Sequence, residues 1–544
     1  MSLSRRDWLR LAGPAAAFVT AATAGAPIAS AFEPSAGERF AFEPDGFPAY
    51  RHEGPLGPEG TFRHGVASGD PLVDRVILWT RVTVPGRPVV PVLWEIATDE
   101  AFRERVGAGW DVAVADSDFT VKIDVPGLRP GRVYHYRFRC LGRTSDVGRT
   151  RTLPVGRVER ARFALCCCSA YGSGYFAGYR LLAERDDLDA VLHVGDYIYE
   201  YGRAAGATER LVDPPGECHT LEDYRRRYAC HRLDPELQRA HRTHPFVVIW
   251  DDHEIANDGF RDGAENHQPD EGLWALRKAS AQQAHREWMP IREPAFGRIY
   301  RRFAYGDLCD LLMLDTRFLA RDRQPTGWSD HETIVDPTRT MLGAEQERWL
   351  EHELETAGPL FRLVTQQVMM APLMRVGAPR SQGGGIPLRV DGWDGYVAAR
   401  ARLLDTFRDR AKGDVVVLSG DLHASFVGEL PLDPFEPTSY EPGSGRGSVA
   451  VEFVAPGLTS PPVLPTDALP FILSENPHLR WGEIGGRGYV VVDVDRDRVQ
   501  GAFFRIDDVW RADSGETFLA AFSTSRGTHR LKRDPAPAAQ RAEV

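Results

Sequence analysis

Val191 to Glu200 reads VLHVGDYIYE. An apolar run of strand type stops at Gly195 and delivers a carboxylate, Asp196, and a phenol, Tyr199, into the turn that follows. In a wound α/β fold ligands sit outside the carboxyl ends of strands, so side chains just past such an end are natural candidates for chemistry. The pattern recurs along the chain. Arg162 to Cys168 ends in three cysteines, Val247-Val248-Ile249-Trp250 runs into Asp251-Asp252-His253-Glu254, and Val415 to Leu418 runs into Gly420-Asp421-Leu422-His423. One strand ending in aspartate is equally well explained as a helix N-cap or Asx turn. Four such ends in order (Cys168; Asp196 with Tyr199; Asp252 with His253; Asp421 with His423) form a polar ring that costs stability unless cations neutralise it.

Outward from these ends, strands alternate with helices from Ala161 onward. Helical stretches are expected at about Gly178–Arg185, Leu221–Arg227, Asp234–Ala240, Leu273–Trp288 and Ala344–Thr356, further strands at Leu311–Leu314 and Phe361–Met370, and a late hairpin pairs Tyr489–Val494 with Val499–Arg505. Before Ala161 the signals are all β: Arg75–Val82, Val92–Ala97, Asp111–Val114, Thr120–Ile123 and Val133–Cys140, with Trp79 and Trp94 as core aromatics. Such spacing predicts an immunoglobulin-like sandwich of about ninety residues. The fold class is therefore α/β preceded by an all-β domain.

Composition agrees with a globular chain: 544 residues, 42% hydrophobic and 26% charged, near ordinary averages. The net charge of -11 argues against a nucleic-acid-binding module. Ser4-Arg5-Arg6-Asp7-Trp8-Leu9-Arg10, the small and apolar run to Ile28, and Ala29-Ser30-Ala31 resemble a twin-arginine export signal, whose translocase carries folded proteins. Residues 1–31 are read as that signal, which predicts a secreted or periplasmic protein of the cell envelope. No later window is apolar enough for a stable membrane span. Seven cysteines, three of them adjacent, do not make a disulfide framework, although a Cys218–Cys230 bridge is compatible with export.

GVASGDP, RVILWTRV, Cys168-x-x-Tyr171, GDYIYEYG, LEDYRRRYA, WDDHE, EWMPIR, LDTR, DGWDGY and LSGDLHAS together resemble the PhoD family of alkaline phosphatases and phosphodiesterases, within the calcineurin-like metallophosphoesterase fold. The resemblance spans nearly the whole chain. It departs at Cys166-Cys167-Cys168, where the family usually has one cysteine, and the spacing to Tyr171 selects Cys168. It implies a double-sheet metallophosphatase sandwich flanked by helices over 156–525, the β-sandwich with its lead-in over 32–155, and a C-terminal tail over 526–544. It also implies hydrolysis of phosphate mono- and diesters by metal-activated hydroxide, in a monomer.

A thiolate plus a phenolate suits ferric iron, as the family implies. Cys168, Asp196, Tyr199 and His423 are thus candidate ligands on the iron side, with Asp196 as a bridge. Asp252 and Asp421 suit one or two calcium ions. Asn257 and Asp258 rank as further oxygen donors. His253 is the candidate general acid, and Arg317 either contacts phosphate or pairs with a structural carboxylate. Readings left open are a diesterase of phospholipase D type, a secreted non-catalytic binding protein, and a dinuclear zinc or manganese enzyme. Outside the site, His193 reads as a hydrogen-bonded core histidine and Cys166 and Cys167 as packing thiols on opposite strand faces. Arg225-Arg226-Arg227 reads as a solvated helix face, and Trp393, Asp394 and Tyr396 as part of a lid or an anchored turn.

Overall fold

The computed structural model describes residues 38–43, 45–292 and 297–541, so the expected signal at 1–31 lies outside the described residues. Two large sheets pack face to face. One has ten strands, in the order Leu531–Asp534, Glu516–Ser525, Arg498–Ile506, Gly488–Asp495, Arg160–Cys166, Ala190–His193, Pro245–Val248, Val66–Gly69, Val76–Arg81, Thr120–Val125. The other has seven, in the order Arg301–Tyr305, Cys309–Met313, Phe361–Thr365, Asp414–Ser419, Ser448–Val454, Ser425–Pro431, Leu479–Glu483. The central strands of both are parallel. They are apolar and buried on both faces, as parallel strands must be. Side chains from both sheets, including Phe163, Val491, Val416 and Phe453, share one core. Helices Leu221–Arg232, Pro235–Thr243 and Trp274–Trp288 belong to the first half, Gly343–Glu355 and Val397–Asp409 to the second. Thr220 starts the first of these with a capping box closed by Asp223.

The N-terminal β region is less separate than the 32–155 boundary suggests. Its smaller sheet (Gly148–Arg151, Val133–Cys140, Val89–Ala97, Arg105–Val114) packs over Val66, Val76 and Leu78. Those strands are themselves the edge of the ten-stranded sheet, joined to it where Val66–Gly69 runs parallel to Pro245–Val248. Trp79 accordingly faces the larger domain: its indole N–H donates to Glu287 O at 2.7 Å and Arg232 lies over its ring. The C-terminal tail is also docked over its described residues, 526–541. Leu531–Asp534 pairs with Glu516–Ser525, and the carbonyls of Ala538 and Ala539 accept from the buried Arg162 guanidinium at 3.0 and 2.7 Å. The late hairpin is present, Gly488–Asp495 against Arg498–Ile506. Cys218 and Cys230 carry free thiols, so the bridge that export would permit is not formed. Among the described residues no helix is long and apolar enough to cross a membrane.

Candidate metal centre

The strand ends that carry the chemistry converge on one side of the paired sheets, and the backbone there is strained. Among the described residues twelve non-glycine positions have positive φ, and five of them are Cys168, Asp196, Asp258, Asp421 and His423. Left-handed conformations of this kind persist only where surroundings over-determine them, and they gather at functional sites. Gly195 is required for a related reason. At φ +106° a Cβ there would stand 2.3 Å from that of Asp251, so the two strand ends touch only because one residue lacks a side chain. Glu254, buried, then ties them: its carboxylate accepts from the backbone N–H of Asp196 at 3.0 Å, Tyr197 at 2.6 Å and Asp251 at 2.7 Å.

Cys168, Asp196 and His423 bring their donor atoms within 4.8 Å of one another. Tyr199 joins them: its hydroxyl donates to Asp196 Oδ2 at 3.0 Å, meets His423 Nε2 at 3.1 Å, and accepts from Ser460 at 2.7 Å. The other imidazole nitrogen of His423 is 2.8 Å from Pro461 O. That contact places the proton on Nδ1 and turns the Nε2 lone pair inward, the usual arrangement of a metal-binding histidine. Burial, with Asp196 adding to it, holds the Tyr199 phenol and the Cys168 thiol well above their ordinary ranges. The protein alone therefore keeps both neutral, and a cation is needed to draw off their protons.

A second group lies alongside. Asp251, Asp252 and Asp421 form one cluster, and Asp252, Asp258 and Asp391 another. Asp258 N–H donates to Asp252 Oδ2 at 2.6 Å. Asn257, ranked with Asp258 by the sequence, faces elsewhere: its side chain bonds Glu265 and its N–H bonds Glu200. Buried oxygens of Asp196 (Oδ1), Asp251 (Oδ2) and Asp252 (Oδ1) have no hydrogen-bond partner. Oxygens orphaned in this way are expensive unless a cation takes them, so the donor set fits metal.

Of the two roles the sequence left open for Arg317, the coordinates hold the pairing. Its fully buried guanidinium donates through Nε to Asp251, through Nη1 to Asp391 at 2.7 Å and through Nη2 to Asp421 at 2.7 Å, with Asp252 at 3.5 Å. Arg389, which sequence reasoning passed over, is the more exposed cation beside Asp421, at 3.4 Å with its side chain 32% accessible.

His253 Nδ1 is 2.7 Å from Glu200 Oε2, and its ring lies 4.3 Å from that of Tyr199. Burial by itself would push His253 down, but Glu200, Asp196 and Asp252 together outweigh it and raise its pKa well above the ordinary value. Glu200 is itself held at Oε1 by Asn257 N–H and the Asn266 amide, each at 2.8 Å. It follows Tyr199 directly and closes the Val191–Glu200 stretch, yet only the tertiary contact marks it.

Two further expectations change, and for Trp393 and Tyr396 the anchored turn is the alternative that holds. Arg227 is not on a solvated face: it is buried and donates to the carbonyls of Tyr199 and Tyr201, fixing the loop that carries the phenol. Trp393 and Tyr396 are buried anchors, bonded to Gln366 at 3.0 Å and Asp322 O at 2.5 Å. Strand alternation fails at Cys168, whose positive φ brings its thiol beside that of Cys167. His193 is the bonded core histidine expected, with Tyr179 at 3.0 Å.

With that geometry in hand, comparison with known proteins is specific. Residues 163–503 match the model of the PhoD-like phosphatase family, and residues 53–154 match that of its N-terminal domain. The chain is 37% identical over 454 residues to alkaline phosphatase D of Bacillus subtilis (strain 168), covering 79% of this chain and 75% of the relative. A solved structure of PhoD superposes with a TM-score of 0.80 at 34% identity, over 90% of this chain and 94% of the other.

Proposed function

Because the chain belongs to the PhoD-like phosphatase family and is a hydrolase of phosphoric esters, we propose that its strand-end cluster is a mixed iron and calcium centre that cleaves phosphate mono- and diesters. The observation that carries the reading is the Cys168, Asp196 and His423 grouping with Tyr199 bonded to two of its members. A thiol, a phenol and an imidazole around one carboxylate suit a ferric ion, and the all-carboxylate clusters around Asp252 and Asp421 suit calcium. When bound, such cations lower the pKa of an attacking water and neutralise charge on the phosphoryl oxygens.

The protein's own groups do the rest. Glu200 fixes His253 by its Nδ1, which leaves the proton on Nε2 for the departing alkoxide. Arg389 offers a guanidinium to a phosphate oxygen from the accessible side of Asp421. Arg317, beneath, holds Asp251, Asp391 and Asp421 in place and limits their mutual repulsion. Metal analysis of protein purified without added salts, alongside rates on a monoester, a diester and phosphatidylcholine vesicles, tests the reading. Iron and calcium with turnover of both soluble esters is the expected result. Zinc or manganese in their place, or turnover of the lipid alone, would refute it.

The same proposal extends to location. The Ser4–Arg10 motif supports export through the twin-arginine translocase, after the Cys168 site has been loaded in reducing cytosol. Replacing Arg5 and Arg6 by lysine should leave active protein inside the cell, and unchanged export would remove the idea.

A further inference from the structure

We propose that Glu217, His219, His267 and Glu271 form a second metal site, separate from the catalytic cluster, for a divalent ion of the zinc class. The residues come from two segments, one leading into helix Leu221–Arg232 and the other into helix Trp274–Trp288. Glu217, His219 and Glu271 offer donor atoms within 4.8 Å of one another. His267 Nδ1 stands 3.5 Å from Glu271 Oε2, and His219 Nδ1 stands 3.9 Å from the same oxygen. In a tetrahedral zinc site with bonds of 2.0–2.1 Å, neighbouring donors are about 3.3 Å apart. The His267–Glu271 and His219–Glu271 distances are close to that spacing. His267 stands outside the three-residue group and reaches it through Glu271, so side-chain rotation would have to bring the fourth donor in.

Acidic clusters without metal are common, and the imidazoles distinguish this one. Both Nδ1 atoms are buried and have no hydrogen-bond partner, and the His267 side chain is only 9% accessible. A polar nitrogen in that position is costly unless something binds it. Arg277 engages Glu217 Oε1 at 2.7 Å and leaves its Oε2. Glu271 Oε2, the oxygen nearest both imidazoles, also accepts from Arg277 at 3.0 Å and from Gln268 N–H at 2.9 Å, so that it would bind an ion through its remaining electron density or by turning Oε1 inward. Two carboxylates against one guanidinium leave a single net negative charge beside two imidazoles. Imidazole with carboxylate favours zinc-like ions over calcium or magnesium, which take oxygen alone.

The site also connects to the catalytic one. Cys218 N–H, between Glu217 and His219, donates to Glu200 O at 2.9 Å, and Asn266, next to His267, holds Glu200 Oε1 at 2.8 Å. An ion joining the two segments clamps the support of Glu200 from both sides, and Glu200 positions His253.

The test uses full-length protein with its native catalytic metals, equilibrated with zinc, as wild type, His267→Gln and His219→Ala/His267→Ala. Expected are one more zinc per chain in the wild type than in either variant, and anomalous density at the zinc edge between the two Nδ1 atoms. The denaturation midpoint should also rise with zinc in the wild type and not in the variants. His267→Gln conserves size, so the comparison stands even if the double variant fails to accumulate. Equal zinc content in wild type and His267→Gln, or anomalous density confined to the catalytic cluster, would overturn the proposal.

Discussion

Arg317→Met separates the two roles an arginine can have in this cluster. The guanidinium is fully enclosed and is bonded to Asp251, Asp391 and Asp421. At about 4 Å and an effective dielectric near 20, each such pair is worth about 4 kcal/mol of gross attraction. Desolvation of the arginine offsets much of that sum, and Arg321 and Arg389 remain close to Asp391 after the substitution. What is left is the cost of stranding buried carboxylates, about 3–5 kcal/mol where one partner of a buried pair is removed. Methionine fills similar volume, so a cavity contributes little. Urea denaturation of wild type and variant, both depleted of metal, measures the difference directly. Arg317→Lys, whose single ammonium cannot span three carboxylates, should fall between them. If Arg317→Met kept full stability and showed only a raised KM, the arginine would be a phosphate ligand and the charge-balance argument would be wrong.

His253→Gln should lower kcat by about 10²–10⁴ on alkyl phosphates and far less on a nitrophenyl ester, whose leaving group needs no proton; equal losses on both would remove the general-acid role. Tyr199→Phe should bleach the visible absorbance expected of an iron–tyrosinate centre, and chelation should abolish activity until iron and calcium are returned. Gly195→Ala should destabilise by about 3 kcal/mol or more, since it combines a positive φ with a methyl 2.3 Å from Asp251 Cβ; a variant of wild-type stability would contradict the crowding. His64 and His478, remote from the cluster, are pushed down by burial to about 2 and about 3 from 6.5. Both stay neutral when folded and charge when unfolded, so their stabilisation is complete above pH 6.5 and is lost as pH falls below it. Each then contributes about 1.4 kcal/mol per pH unit, and His478→Gln should reduce proton uptake on unfolding near pH 5 by about one.

Much of this protein was legible along the chain because parallel strands buried on both faces announce themselves as short apolar runs. Where such a run stops at glycine or tryptophan and releases an acid, a phenol or an imidazole, the site is marked locally. Asp196, Tyr199, Asp252, Asp421 and His423 stand out that way, Cys168 was singled out from three adjacent cysteines by the family spacing to Tyr171, and the structure places all six close together. The break in strand alternation at Cys168 was not legible, because a left-handed φ leaves no mark in residue pattern. Nor was the joining of the N-terminal sandwich to the large sheet, since Val66–Gly69 pairs with strand Pro245–Val248, far away in sequence.

The sequence by itself determined which chemistry is present: the strand ends, their donor types, and a family of phosphoric ester hydrolases to hold them. Only the tertiary structure decided how the charges are balanced. Glu200 reaches His253 across 53 residues, Arg317 reaches Asp391 across 74, and Arg227, which reads as solvent-facing, turns inward to hold Tyr199. Local pattern encodes what a side chain is and which face of a strand it occupies. The partner of a buried charge is set by where separate strand ends meet, and desolvation makes that partnership strong only after the chain has folded.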